Sequence, residues 1–302
     1  MTWLLVAILS YFLLAIVFLV DKYLLGGPIP SPKVYAFYVG MLGILILALA
    51  PFVGFFVPGP SQILLSLLAG ALFIYALFWF YKALQLFEAS RVVPAVGGIL
   101  PLFTFGLIYL VSLGEEILSF SKMIASLLLI SGSVLITLKK EKLVTQKSLR
   151  ISAIAAFFLA LYFVSAKYVY LALPFWPGFI WIRMGGVLMA LLFFLFAKEI
   201  RKEIFEQKVS LKKKTAGVFL SNQALGAGAN ILQNWAIALA PLAFVAVISA
   251  LQGVQYVFLL IFAVLLSLKS PQILKEEISR KILFQKVIAI LLIAGGLTLL
   301  VI

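Results

Sequence analysis

Apolar residues run along the chain in long stretches, and short polar or proline-containing turns separate them. A helix that crosses a bilayer needs roughly 20 apolar residues, and these stretches reach that length. The turns at 26–32, 58–60 and 174–177 hold prolines, which lack a backbone donor and interrupt helices. The pattern predicts an all-α, polytopic membrane protein with ten transmembrane helices, at 3–25, 34–57, 62–86, 91–113, 118–138, 151–172, 177–198, 215–239, 242–268 and 284–302.

The composition narrows the class of protein further. Of the 302 residues, 65% are hydrophobic and 11% are charged, and the mean hydropathy is +1.22. A soluble core of this length buries far less apolar surface, so a water-soluble enzyme is excluded. The chain has no Cys, no His and a single Asp, Asp21, which excludes thiol chemistry and the usual zinc and haem ligands. We therefore expect no enzyme and no cofactor or metal.

Two parts of the chain resemble each other. Residues 12–23 align with 157–168, with identical pairs at Phe12/Phe157, Leu14/Leu159, Ala15/Ala160, Phe18/Phe163, Lys22/Lys167 and Tyr23/Tyr168, and further pairs follow at Gly40/Gly185, Ala83/Ala236 and Gly132/Gly296. The match predicts two repeats of five helices, 1–145 and 146–302. Because five is odd, the second repeat is inverted in the membrane, as in many secondary transporters. The alternative is an old duplication kept for packing alone.

Short patterns also follow one another at fixed distances: Ala83-Leu84, Ala89-Ser90-Arg91, Pro101-Leu102, Leu113-Gly114-Glu115 and Gly132. With the duplication, they make the chain resemble the EamA-type ten-helix transporters of the drug/metabolite transporter (DMT) superfamily over nearly its whole length. The resemblance implies transport of a small metabolite, and Lys22, Lys167 and Arg183 fall at positions usual for the family. The second repeat departs from the pattern, with Val254 where the first has Pro101.

The basic residues are concentrated in three loops. Seventeen of the 24 lie in 139–150, 198–214 and 269–286. Because positive loops stay in the cytoplasm, we expect these loops inside the plasma (inner) membrane, against anionic lipid headgroups, and both termini outside. Members of the resembled family usually have both termini in the cytoplasm. Because basic loops at a membrane surface account for most of the positive charge, we infer no nucleic-acid partner from the net charge of +14.

Charged residues inside spans are costly, so they tend to face a cavity or a partner. Arg183 lies well inside the seventh span and is the strongest candidate for substrate binding. Lys22 and Lys167, near the ends of spans one and six, are further candidates, with snorkelling to the headgroups as the alternative. These basic residues outnumber Asp21, which favours an anionic or zwitterionic solute.

Amide side chains form a second signal. Asn222, Gly226, Asn230 and Asn234 recur every fourth residue and are predicted to share one helix face. Span nine adds Gln252, Gln255 and Tyr256. Such amides either join helices or line a substrate cavity; we favour the cavity for Asn230 and Gln252 and expect Asn222 and Asn234 at the interface. Gly226 and Gly228 are predicted to be close-packing positions.

These observations predict a secondary transporter, an exporter of a small organic metabolite such as an amino acid or related carboxylate, working by alternating access as a monomer or homodimer. The basic residues would hold the carboxylate and the amides would orient the rest. The alternative is a flippase for a polyprenyl phosphate or other lipid-linked substrate, with the same bundle.

Overall fold

The computed structural model describes residues 2–25, 31–86, 89–115, 118–137, 146–205, 213–269 and 280–301. Throughout this part of the chain the regular structure is helical. The helices are α1 (Thr2–Leu25), α2 (Pro32–Leu42), α3 (Pro60–Leu86), α4 (Ala89–Val111), α5 (Phe120–Thr137), α6 (Gln146–Ala172), α7 (Phe175–Phe196), α8 (Lys198–Phe205), α9 (Lys213–Leu239), α10 (Phe244–Ala250), α11 (Gln252–Lys269) and α12 (Arg280–Val301). A 3-10 helix, Gly43–Phe52, continues α2 directly.

Five of these helical segments are long and apolar enough to cross a membrane, among the described residues. They are Thr2–Leu25, Pro32–Phe52, Pro60–Leu86, Gln146–Ala172 and Phe175–Phe196. Shorter apolar helices cover Ala95–Val111, Phe120–Leu135, Phe244–Leu259 and Phe284–Leu300. An all-helical chain with several such segments is compatible with an integral membrane protein, as the sequence predicts.

Three local features depart from the uniform helices that the hydropathy pattern predicts. The second span changes to 3-10 geometry at Gly43 and ends beyond Pro51, whose ring and missing N–H do not fit an α-helix interior. The ninth span is interrupted at Leu251. The first part of the basic loop predicted after the seventh span is the helix α8, whose Ile200 is buried. Six of the other basic residues predicted to be cytoplasmic lie in 138–145, 206–212 and 270–279, outside the described residues.

The two halves of the sequence interleave in the packed bundle. Helix α3 lies along α6 and α7, α1 lies along α9 and α11, and α5 pairs with α12. The main neighbours of each of these first-half helices therefore come from the second half. This arrangement places the space inside the bundle between the two halves.

Glycines allow two of these helix pairs to approach at backbone distance. A Cβ at Gly70 of α3 would overlap the carbonyl oxygen of Ile182 in α7, and one at Gly185 would overlap that of Leu67 in α3. At the α5–α12 contact, a Cβ at Gly132 would lie 2.9 Å from the Ala289 carbonyl, and one at Gly296 2.8 Å from that of Ala125. Small residues at such positions are typical of close helix packing in membranes.

Candidate functional site

A cavity of about 490 Å³ lies inside the bundle, between the two halves of the sequence. Its wall is mostly apolar, with polar side chains from α1, α3, α7, α9 and α11. They are Tyr11, Asp21, Tyr81, Arg183, Gln223, Asn230, Gln233, Gln252 and Gln255. An apolar pocket with a few converging polar groups is the usual form of a small-molecule site.

Helices α1 and α9 present their cavity faces with the same spacing. Tyr11, Leu14, Phe18 and Asp21 line the cavity at successive separations of three, four and three residues. Gln223, Gly226, Asn230 and Gln233 repeat that spacing on α9. Because 3.6 residues make one turn, this spacing keeps the side chains on a single face. The two packed helices therefore share in one wall of the cavity.

Within the predicted amide face, Gly226 and Asn230 line the cavity, and Asn222 and Asn234 do not. Four residues rotate the helix about 40° past a full turn, so three such steps carry the side chain about 120° away. Asn222 and Asn234 consequently leave the cavity wall and bond to other side chains. Both are buried inside the bundle, at 4% and 0% exposure.

Arg183 extends from α7 into the cavity between two aromatic rings. Its guanidinium carbon lies 5.6 Å from the ring centre of Phe73 and 5.4 Å from that of Phe179. The phenols of Tyr162 and Tyr170 are close enough to interact with it electrostatically. Within the described part of the chain, no carboxylate or other acceptor forms a hydrogen bond with its N–H groups. Since a guanidinium remains charged, it provides a cationic group with free donors at the cavity wall.

Asp21 is the acidic residue of the cavity wall, and two neutral donors bond to one of its carboxylate oxygens. The Asn222 side-chain amide donates to its Oδ1 over 2.7 Å, and the Tyr35 hydroxyl donates to the same oxygen. The Gln223 amide in turn donates to the Tyr35 oxygen over 3.4 Å. This network joins α1, α2 and α9 at one end of the cavity.

A second network lies around Asn234. Its Oδ1 accepts hydrogen bonds from Tyr162 at 3.0 Å and Tyr170 at 2.8 Å. Its amide donates to the backbone oxygen and the side-chain oxygen of Asn230, at 2.9 and 3.1 Å. The network fixes Asn230, which lines the cavity, against α6. Asn234 therefore positions a cavity residue without lining the cavity itself.

Helix α11 brings an unsatisfied acceptor to the wall. The Oε1 atom of Gln252 is buried and has no hydrogen-bond partner within the described residues. An unpaired buried amide oxygen costs free energy, so a ligand donor at this position would be favourable. Gln255, one turn further along α11, also lines the cavity.

The predicted binding residues divide into three groups. Arg183, Asn230, Gln252 and Gln255 line the cavity.

Tyr256 and Lys167 do not line it. Tyr256 packs against α4, where a Cβ at Gly97 would lie 2.5 Å from its hydroxyl, and the Lys167 ammonium donates to the Ala238 carbonyl over 3.0 Å. The side chain of Lys22 lies outside the described residues.

The sequence interpretation did not select several cavity residues as binding residues, namely Tyr11, Asp21, Gln223 and Gln233. Tyr11 and Asp21 share a face of α1, and the spacing of three and four residues through Leu14 and Phe18 gives a signal that could have found them. The same spacing on α9 selects Gln223 and Gln233 in place of Asn222 and Asn234. As for metals, the described residues bring no three acidic side chains together.

Comparisons with known proteins show the fold and no family. No family model matches the chain, and no curated protein matches it. Among solved structures, 21 chains match. One of these, described only as "Crystal structure of protein", is 18% identical with a TM-score of 0.66, and the alignment covers 99% of this chain and 96% of that one. The whole chain therefore shares its fold with a solved structure, and this likeness extends to the fold alone.

Proposed function

We propose that the protein is a secondary transporter of the DMT type, which carries a small organic anion or zwitterion through the membrane by alternating access. The observation that carries the proposal is the cavity inside the bundle with the unpaired Arg183 guanidinium in its wall. A charge kept in an apolar bundle without a counter-charge is costly, so a bound anionic substrate is the simplest reason for its presence.

The proposed architecture is a ten-helix bundle of two inverted five-helix repeats. In it, α10 and α11 form one broken span and α8 lies outside the membrane. The reciprocal contact at α5–α12 supports this arrangement, because the aligned glycines Gly132 and Gly296 each meet the backbone of the opposite helix. Reciprocal contacts are expected where two equivalent elements face each other across a twofold axis.

The side chains take distinct roles in this proposal. Arg183 binds the carboxylate or other anionic group of the solute through its N–H donors. Asn230, Gln252 and Gln255 provide amide groups for the remaining polar atoms. For a zwitterion, the Asp21 carboxylate at the far end of the cavity receives the ammonium group. Export is the proposed direction, and the basic loops are the proposed cytoplasmic side.

Removal of the guanidinium tests this proposal most directly. A thermal-shift screen of the purified protein against classes of organic anions and zwitterions identifies stabilising solutes, because a ligand that binds only the folded state raises the melting temperature. Uptake of the best solute is then followed in proteoliposomes. We expect Arg183→Ala to reduce both the affinity obtained from the shifts and the uptake at least about tenfold, which corresponds to the loss of roughly one charged hydrogen bond.

Lys82→Ala is the matched control, since it removes one positive charge from α3 outside the cavity. The Lys82 ammonium lies 4.6 Å from the ring centre of Trp79 and does not line the cavity. Binding and uptake should survive this change. Equal activity of Arg183→Ala and Lys82→Ala would overturn the role given to Arg183, and the absence of any transported solute would overturn the carrier.

A further inference from the structure

The cavity has an opening on its side, between the 3-10 helix Gly43–Phe52 and α9. The cavity lining includes Leu45 and Leu49 from the 3-10 helix and Leu220, Ala224 and Ala227 from α9. Several of these residues are also exposed on the outer surface of the bundle, Leu45 at 66% and Leu220 at 54%. We call this opening the side window. Its frame is apolar throughout.

Aromatic contacts close the bundle at the two ends of the side window along α9. At one end, Tyr35 and Tyr38 of α2 pack against Phe219 of α9, with ring centres 5.5 and 6.0 Å apart. At the other end, Phe175 of α7 packs against Trp235 of α9 at 4.5 Å. Between these contacts α2 and its 3-10 continuation have no extended packing against α9. The window therefore faces sideways, in the middle of the apolar surface.

An apolar groove continues the window along the outside of the bundle. It has a volume of about 310 Å³ and shares Leu42, Leu45 and Leu220 with the cavity. Its remaining wall comes from Tyr38, Met41, Ile44, Ala216 and Phe219. The cavity, with its few polar groups, and the apolar groove are thus joined through one opening.

From this continuity we infer that the cavity binds an amphiphile, with its anionic headgroup at Arg183 and a single apolar chain through the side window into the groove. The charge complementarity sets the headgroup, because the free guanidinium matches a carboxylate or a phosphate. The apolar frame sets the tail, because only hydrocarbon avoids a desolvation cost between leucine side chains. The inference rests on the proposed role of the cavity as the substrate site, and it assigns the substrate class of that site.

The test compares headgroups with and without a tail on the full-length protein in nanodiscs. The probes are octyl phosphate and methyl phosphate, with octanoate and acetate as the second pair, and the readout is the apparent affinity from thermal shifts. A buried methylene contributes about fourfold in affinity, so octyl phosphate or octanoate should bind at least about tenfold more tightly than its short partner. The pair with the tighter binding identifies the headgroup.

Two window variants, Ala224→Trp and Leu45→Trp, fill the opening from opposite sides. Each should weaken binding of the tailed probe at least about tenfold more than binding of the short probe. Ala294→Trp is the matched control, because Ala294 is exposed on α12 and does not belong to the window. Arg183→Ala should abolish binding of both probes. If one tryptophan variant fails to fold, the other tests the same opening.

Each pattern of results decides a different claim. Equal affinity for tailed and short probes, or unchanged binding in both window variants, overturns the amphiphile and leaves the small-solute carrier standing. Tail-dependent binding that survives Arg183→Ala overturns the headgroup assignment. If no probe shows binding that depends on Arg183, the amphiphile proposal is overturned. The uptake assay then tests the transporter proposal independently.

Discussion

The contact between α3 and α7 differs in closeness from the contact between α2 and α9. The α3–α7 contact is closed at backbone distance by Gly70 and Gly185. The α2–α9 contact is confined to one end, where Tyr35 and Tyr38 pack on Phe219, and the side window lies beyond it. The difference shows how residue size sets helix spacing: glycines bring two helices together, and edge-to-face aromatic rings hold two others apart.

Under the proposed inverted repeat, these two contacts are the same contact in the two halves. The alignment of Gly40 with Gly185 makes α2 equivalent to α7, and the alignment of Ala83 with Ala236 makes α3 equivalent to α9. One copy is closed and the other is open. An exchange of these two conformations between the repeats is what alternating access requires.

The largest expected effect comes from fixing the open copy. The chain has no cysteine, so Tyr38→Cys with Phe219→Cys can be joined by a short bifunctional thiol reagent. If α2 and α9 move relative to each other, the link should reduce uptake more than about tenfold while ligand binding remains, because only the conversion between states is blocked. Proteoliposome uptake before and after linking measures this.

The control for the link lies at a contact expected to stay fixed. Leu128→Cys with Gly295→Cys joins α5 to α12, where a Cβ at Gly295 would lie 4.0 Å from the Leu128 side chain. This link should leave uptake unchanged. Full uptake by the linked α2–α9 variant would show that the two contacts do not exchange.

The next largest effect tests the closed copy. Gly185→Ala places a methyl group against the Leu67 backbone and should lower the free energy of unfolding by about 3 kcal/mol, because neither helix can move without repacking. Thermal and denaturant unfolding in detergent measures the loss. Gly106→Ala on α4 is the control, since no heavy atom lies within 4 Å of its Cβ position. A neutral Gly185→Ala would mean that α3 and α7 are not in backbone contact.

A smaller effect is expected at the aromatic end of the open copy. Tyr35→Phe removes a hydrogen bond to the buried Asp21 carboxylate and should cost about 2 kcal/mol of unfolding free energy, the usual value for a bond to a charged group. Tyr38→Phe, one turn away on the same helix, should cost less than about 0.5 kcal/mol. Unfolding of the two variants side by side gives the difference. Equal costs would contradict the importance of the Asp21 network.

The smallest effect concerns the glycines of α9. Nothing lies within 4 Å of a Cβ at Gly228, and at Gly226 the nearest atom is a Val17 methyl at 3.6 Å. The prediction that they are close-packing positions is therefore wrong. Gly228→Ala should stabilise the protein by about 0.5 kcal/mol through helix propensity alone. A melting-temperature decrease in this variant would indicate a tight contact on that side of α9.

The helix positions were largely predictable from the sequence because each depends on local information. Long apolar runs and the prolines at 32, 58, 60 and 174 set helix ends within a few residues. The change to 3-10 geometry at Gly43 and the break at Leu251 were not predictable, because nothing in the hydropathy distinguishes them from the surrounding helix. Both features lie beside the cavity.

The cavity residues were predictable only in part. Arg183 could be selected because a charge deep in an apolar run is costly unless it faces a cavity or a partner. Lys167 could not be excluded, since its bond to the Ala238 carbonyl depends on how α6 packs against α9. Asp21 was undervalued, because its neutral partners Tyr35 and Asn222 come from different helices, and Asn222 lies 201 residues away in the chain.

The α5–α12 contact has a consequence for the synthesis of the protein. Gly132 and Gly296, which each need the backbone of the other helix, are 164 residues apart in the chain. At about 5–20 residues per second, α5 leaves the ribosome roughly ten to thirty seconds before its partner exists. During that interval the face of α5 that packs on α12 has no partner. The α5–α12 contact can therefore form only after the last helix has been synthesised.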